Sequence, residues 1–415
     1  MTSSAPLARM AWRNIWRQRR RTLISLAGIA FGVLFAVILT GLGDATYGDM
    51  IDYAARMGTG HVTVEHEAQR TEPSTRHPVA VPHNLEQVLH EDPRVERLSL
   101  RVQTAAFLAT ARGSVGTALL AFDPDDEDAD SFPLLDALSE GEGLRDGSDT
   151  GIVLGSRLAR RLDTRVGKRV VYTVTDRHGE MVSGLAKVRG ILETGAASVD
   201  NKIVLMALAP LQARLGYGTH EVTSAAIFLE DHRDAASVAS WAGDVVPSPA
   251  VAIDWRAAQP ELASFIDLKV NGASMVEGLV MLLLAAGVFN TIFVSVMERR
   301  REFGVLRALG FSPSEIFTLV TWESLWVAVF GLLAAAAVTT PPYLWLHEHG
   351  VDVSGQVGAT PEISGVIMST IMPVEIFPEN LLIIAALVPF ATLLAGLYPA
   401  WIASRVEPVD AIASR

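Results

Sequence analysis

The chain has 415 residues, 50% apolar and 19% charged, with a mean hydropathy of +0.30 and a net charge of −12. That is too hydrophobic for an ordinary soluble enzyme of this length, and the acidic balance argues against a nucleic-acid partner. No cysteine is present, which excludes disulfide stapling and thiol chemistry.

In chain order, residues 1–21 predict a basic amphipathic helix, with Trp12, Ile15 and Trp16 interleaved among Arg13, Arg17 and Arg19. It suits either a helix lying in the membrane interface or a plain topogenic cluster. A first apolar run covers 22–42, too long for the h-region of a signal peptide, so it reads as a retained membrane anchor. Three more runs follow at 274–297, 317–340 and 381–404, each long enough to cross ~30 Å of hydrocarbon as a helix.

The stretch 43–273 reads as a large mixed α+β domain. A helix is expected over 47–60, strands over 60–65, 95–110 and 116–122, and a helix over 84–90. The acidic run 123–130 reads as a solvated loop, near which two subdomains divide. Further strands are expected at 151–155, 166–175, 181–192, 224–229 and 250–254. Helices are expected at 156–162, 207–215 and 234–245, and a last one over 260–270 leads into the second span. His61, Glu65, His66 and Glu67 lack metal-ligand spacing, as do His347, Glu348 and His349, so both groups read as solvated surface and no metal site or catalytic residue is expected.

Sorting basic residues gives orientation. Arg9, Arg13, Arg17, Arg19, Arg20 and Arg21 precede the first span, Arg299, Arg300, Arg301 and Arg307 follow the second, and Arg405 and Arg415 follow the fourth, whereas the loop 341–380 carries no Lys or Arg. Short Arg-rich segments stay inside, so both termini and the segment 298–316 are expected to be cytoplasmic and 43–273 and 341–380 extracytoplasmic. The fold class is thus a membrane protein with four transmembrane α-helices in a 1+3 arrangement, the outer domain being inserted after the first helix, with a cytoplasmic tail at 405–415.

Inside the spans, Gly28 and Gly32 form a small-xxx-small pattern for helix packing. Asn290 reads as helix-to-helix glue, Glu323 as an intramembrane acid that snorkels or is paired with Trp322 or a tail arginine, and Glu277 as lining the route outward. The most specific stretch is Glu298, Arg299, Arg300, Arg301, Glu302, Phe303, Gly304, Val305, Leu306, Arg307, Ala308, Leu309 and Gly310, followed by Phe311, Ser312 and Pro313. Phe303, Leu306 and Leu309 recur at helical spacing, Gly310 can cap the helix, and Pro313 can restart the next one. An apolar stripe beside charges suits docking into a partner's groove.

That stretch resembles the coupling-helix region of FtsX/MacB-type ABC transporter permeases. The ending from Gly396 through Tyr398, Pro399 and Pro408 to Ile412 is similar to their C-terminal signature, and Ala11 to Arg17 to their N-terminal helix. Gly60 to Val64, Glu193 to Asp200, Ala209 to Leu215 and Asp254 to Arg256 resemble the lipoprotein-releasing LolC/LolE branch. The resemblance implies mechanotransmission: a separate cytoplasmic ATPase dimer binds ATP and Mg and moves the segment 298–310, acting on a dimeric permease with a second copy or a paralogue in a bacterial inner membrane. It further implies a lipoprotein substrate and a periplasmic carrier, or alternatively an FtsX-like hydrolase regulator or a MacB-like efflux permease with an adaptor. No cofactor is expected on this chain, because it has no G-x-x-x-x-G-K-[S/T]: Gly167 and Lys168 are followed by Arg169.

Overall fold

The structure is a computed structural model, and it describes residues 4–17, 19–82, 85–129, 131–353, 362–363, 366–367 and 371–407. Asn84, Asp130, residues 408–412 of the closing motif and Arg415 lie outside the described residues, as does part of the loop 341–380. The chain divides into two compact units, one of 1–46, 268–352 and 371–415, the other of 47–267 and 353–370.

Helix α1 (Ser4–Arg17) is followed by α2 (Arg19–Met57), which runs through the expected span and continues where a separate helix was expected at 47–60. Then come β1 (Val62–His66), β2 (Val79–Ala80), α3 (Leu85–His90), β3 (Val95–Thr110), β4 (Gly113–Phe122), β5 (Leu138–Gly141), β6 (Ile152–Gly155) and α4 (Ser156–Arg161). The middle continues with β7 (Arg169–Thr175), β8 (Met181–Leu192), α5 (Ala197–Asp200), β9 (Ile203–Ala207), α6 (Leu208–Leu215), β10 (Glu221–Val222) and β11 (Ser224–Leu229). After α7 (Ala235–Val245), β12 (Ala250–Asp254) and α8 (Trp255–Ala258), the long α9 (Pro260–Glu298) begins, followed by α10 (Arg300–Ala308) and α11 (Pro313–His349). Short strands β13 (Val351–Asp352), β14 (Glu362–Ile363), β15 (Val366–Ile367) and β16 (Ile371–Met372) precede α12 (Pro378–Ser404).

Among the described residues four helices, α2, α9, α11 and α12, are long and apolar enough to cross a membrane. Helix α11 ends at His349 rather than 340, carrying Pro341 and Pro342 inside it. Residues 341–349, expected in a loop, are therefore helical, with His347, Glu348 and His349 exposed in its last turn. The helix bundle packs through small residues: a side chain at Gly396 would collide with Ser324, and one at Gly32 with Leu284. Among the described residues of this chain nothing stands close to Gly28. The first turn of α12 has no cap of its own; Asp44 on α2 accepts from the Phe377 N–H at 3.0 Å and from Asn380 Nδ2 at 2.9 Å.

In the other unit, the second half of β3 pairs with β4, β4 with β9, β9 with β6, β6 with β8, β8 with β7, and β7 back with β3. These strands close into a small barrel filled by side chains such as Leu108, Leu119, Ile152, Leu154, Tyr172, Val188 and Val204. The first half of β3 leaves the barrel and pairs with β11, which continues to β1 and β12. One 16-residue strand therefore serves two sheets. The expected division near 123–150 is not observed: β4 before that segment and β6, β8 and β9 after it lie in the same barrel. Strand pairing of this range is set by contacts far apart in sequence, which local composition does not carry.

Two expectations of solvated surface also fail. His61 is buried, its Nδ1 accepting from the Leu229 N–H at 3.0 Å and its Nε2 lying 3.0 Å from Asp52 Oδ1. Glu127, in the acidic run, is buried against Arg101. The sequence pattern put both on the surface because their partners stand elsewhere in the chain.

Candidate functional site

The site is the short connection between α9 and α11. Helix α9 stops at Glu298 because Arg299 leaves helical geometry, with φ −100° and ψ 9°. After α10, Gly310 takes φ +99°, a left-handed value that a side chain would strain. Ser312 then caps α11 in a reciprocal box with Glu315, and Pro313 occupies the first turn, where its missing N–H costs nothing. Each local feature follows from residue type at that position.

Phe303 is the anchor. It was expected in a docking stripe with Leu306 and Leu309, but it is fully buried among Ala11, Val296, Ile316, Leu319 and Ala403, with Gly304 buried beside it. Burying its ring there stabilises the fold of this chain, so it is not available to a partner. Leu306 is half-buried against the same cluster. What α10 leaves exposed is Arg300, Arg301, Val305 at 45%, Ala308 and Leu309 at 73%. The helix thus has one face held inside its own chain and another, mixed apolar and cationic, turned outward.

A chain of charges ties α10 to neighbouring helices. Glu302 accepts from Arg17 Nη1 at 2.9 Å and from Arg299 Nε at 3.0 Å. Arg299 Nη1 also reaches both oxygens of Glu323, at 3.0 and 2.9 Å, and Asn14 Nδ2 donates to Glu323 Oε1 at 2.7 Å. Arg21 holds Glu298 through two bonds, 2.9 and 3.1 Å. The Arg299 guanidinium lies 5.1 Å from the Phe303 ring centre, so anchor and charge relay meet at one point. Beside them, Ser25, Thr291, Ser295 and Ser324 join Arg299 and Glu323 around a cavity of about 50 Å³ that Ile15, Ile292 and Val327 also line.

This arrangement corrects several sequence expectations. Glu323 is paired with Arg299 and Asn14 rather than with Trp322 or a tail arginine; a lone acid in an apolar helix demands a cation, but composition alone did not select which one. Arg299 points inward, unlike Arg300 and Arg301. Arg307 Nη1 donates to the Phe311 carbonyl at 3.1 Å, closing the turn at Gly310. Asn290 is exposed on α9 and bonds no other helix among the described residues. Glu277 accepts from Thr40 Oγ1 at 2.7 Å, which joins α9 to α2. Asn14 and Arg17, which complete the relay, were read only as parts of a basic helix. That helix instead packs on α11, with Trp12 5.2 Å from Trp326 and Trp326 Nε1 donating to the Ala8 carbonyl at 3.2 Å.

Comparison with known proteins matches two family models. The FtsX-like permease C-terminal model matches residues 274–408, and the MacB-like periplasmic core domain model matches residues 22–244. Among curated relatives, the lipoprotein-releasing system transmembrane protein LolC of Xylella fastidiosa (strain 9a5c) is 22% identical over 94% of this chain and 93% of its own. The corresponding LolE of Haemophilus influenzae is 20% identical over 98% of both. The macrolide export ATP-binding/permease protein MacB of Psychrobacter cryohalolentis is 20% identical over 95% of this chain but 57% of its own length.

Proposed function

We propose, from the premise that this chain belongs to the FtsX/MacB family of ABC permeases with a MacB-like periplasmic core domain, that it is the permease subunit of a transporter driven by a separate ATPase. The observation that carries this is the two-faced α10: Phe303 and the Arg299–Glu302–Glu323 relay hold one side in the helix bundle, while Val305, Leu309, Arg300 and Arg301 stand free on the other. A partner that pushes the free face moves a lever already fixed to α1, α9 and α11. The chain has no phosphate-binding loop of its own, so ATP and Mg belong to the partner.

The distribution of arginines supports a layout with α10 and both termini on the cytoplasmic side, where that ATPase would reside, and with one span before the outer domain and three after it. A bacterial inner membrane fits this layout, and a dimer with a second copy or a paralogue supplies two levers for an ATPase pair. For the cargo, the relatives named for lipoprotein release, matched over nearly their whole length, support a lipoprotein. Lifting each acyl chain out of a bilayer costs about 0.8 kcal/mol per CH₂, which requires coupled energy.

The test is co-purification. Val305→Asp with Leu309→Asp should abolish recovery of an ABC ATPase from detergent extracts while the variant still inserts and keeps its thermal transition. Undiminished recovery overturns the docking role of α10, and recovery of a cell-wall hydrolase or an adaptor in place of lipoprotein redirects the cargo.

A further inference from the structure

Strand β3 passes from the open sheet into the barrel at residues 102–106, and both of its neighbours on one edge leave it there. On one side the β11 ladder ends with Ser224 opposite Arg101, because Glu221 and Val222 turn away to pair with β2. On the other, the β7 ladder ends with Thr173 opposite Phe107. Continued by two residues, Thr175 would face Ala105, but the Thr175 carbonyl accepts from the Thr75 hydroxyl at 2.7 Å instead.

The direction of the β3 backbone in this gap is fixed by its bonds. The Gln103 N–H is turned away from β4, since it donates to Thr223 Oγ1 at 2.8 Å. Ala118, which pairs with Ala105, sends its own N–H the other way, to the Lys202 carbonyl at 2.9 Å. Antiparallel pairing alternates residue by residue, so Ala105, like Gln103, presents its N–H and C=O to the open edge. Among the described residues nothing accepts from the Ala105 N–H. The gap opens on a cleft of about 660 Å³ whose walls carry hydroxyl and amide groups, among them Thr75, Thr175, Thr223 and Gln69, and whose two charged residues are of opposite sign, Glu65 and Arg76, the latter bonded to Glu72. Ser224 also lines it; it is 5% exposed, and among the described residues its hydroxyl has no partner.

A strand edge with a free donor, a free acceptor and a buried unpaired hydroxyl beside it is complementary to polypeptide backbone in extended form, which carries both bonding groups at strand spacing. We propose that this notch binds an extended, uncharged polypeptide segment of a partner protein, which bonds the Ala105 N–H and the Gln103 carbonyl and satisfies the Ser224 hydroxyl. Five strand positions at about 3.3 Å each leave room for a few residues. The site goes beyond the proposed transport function and does not depend on it: the surrounding residues all belong to one unit, and α10 to the other.

The experiment uses the full chain in detergent, immobilised and panned with a degenerate library of uncharged heptapeptides, followed by titration of the best synthetic heptapeptide. Ala105→Pro removes the free N–H at an open edge, where proline is tolerated, and should weaken binding about tenfold, as loss of one good hydrogen bond does. Ser224→Ala should weaken it less. Should Ala105→Pro disturb folding, the peptide N-methylated at its central amides replaces it and should lose binding to the unaltered protein. Failure to select any heptapeptide above the level of a blank surface, or equal binding of the N-methylated and parent peptides, overturns the proposal.

Discussion

Two arginine–carboxylate pairs, one fully buried and one mostly so, are built differently. Arg101 and Glu127 are 0% exposed on both sides and bonded at 2.9 and 2.6 Å. Arg101 also donates to the Arg56 and Gly58 carbonyls and lies against the rings of Phe132 and Phe228, while Ser99 donates to Glu127. There the further partners are backbone carbonyls and a hydroxyl rather than a second charged group. Arg299 and Glu323 remain slightly exposed and share their partners: Glu302 stands as a second carboxylate for Arg299, Asn14 as a second donor for Glu323, and Arg17 as a second cation for Glu302. The first pair locks a fold in one state. The second is a network in which Arg299, Glu302 and Glu323 each hold more than one polar partner.

The comparison breaks most visibly at Glu127. Glu127→Ala leaves a fully buried guanidinium uncompensated and should cost about 3–5 kcal/mol, read as a fall in thermal stability of the full chain. Replacing both residues, with Arg101→Met and Glu127→Leu, should recover most of that loss. Phe303→Ala, which opens a cavity where the relay meets its anchor, should cost about 3–5 kcal/mol yet leave ATPase binding intact at temperatures where the variant stays folded. Glu323→Gln should cost about 1–2 kcal/mol, less than Glu127→Ala because Glu302 remains to Arg299; a loss as large as at Glu127 would remove the distinction between the two pairs.

A smaller effect concerns Asp149 of the outer unit. Burial raises its carboxyl, but the Gly151 N–H at 2.8 Å and Arg189 at 3.1 Å outweigh that and hold it below the ordinary carboxylate range. A carboxyl depressed in the folded state stabilises above its unfolded pKa of about 3.9, and the contribution disappears as pH falls through the folded value. Asp149→Asn should therefore lower the melting temperature at pH 6 and flatten its decline below about pH 4; parallel pH profiles for variant and parent would remove this contribution.

How much of this was legible depends on the range of the signal. The four long apolar helices, the Gly310 turn and the Ser312–Pro313 start of α11 were readable because residue type acts locally there. The barrel was not, since its closure through β7 joins residues 107 and 173, and β9 at Ile203–Ala207 is a five-residue apolar stretch that runs without a break into α6. Phe303, Leu306 and Leu309 share helical spacing, yet only the packed structure shows that the stripe is split, Phe303 inward and Leu309 outward. The acidic run 123–130 read as solvated because Arg101, the partner of Glu127, lies on a strand 26 residues earlier.

The central claim is that α10 carries force between a partner on its free face and a relay on its held face. Because the chain has no cysteine, single cysteines placed by Leu309→Cys and Phe303→Cys report each face separately through a short thiol cross-linker to the co-purified ABC ATPase. The account predicts a strong cross-link from position 309 and none from position 303. A cross-link from 303 equal to or stronger than that from 309 would contradict it.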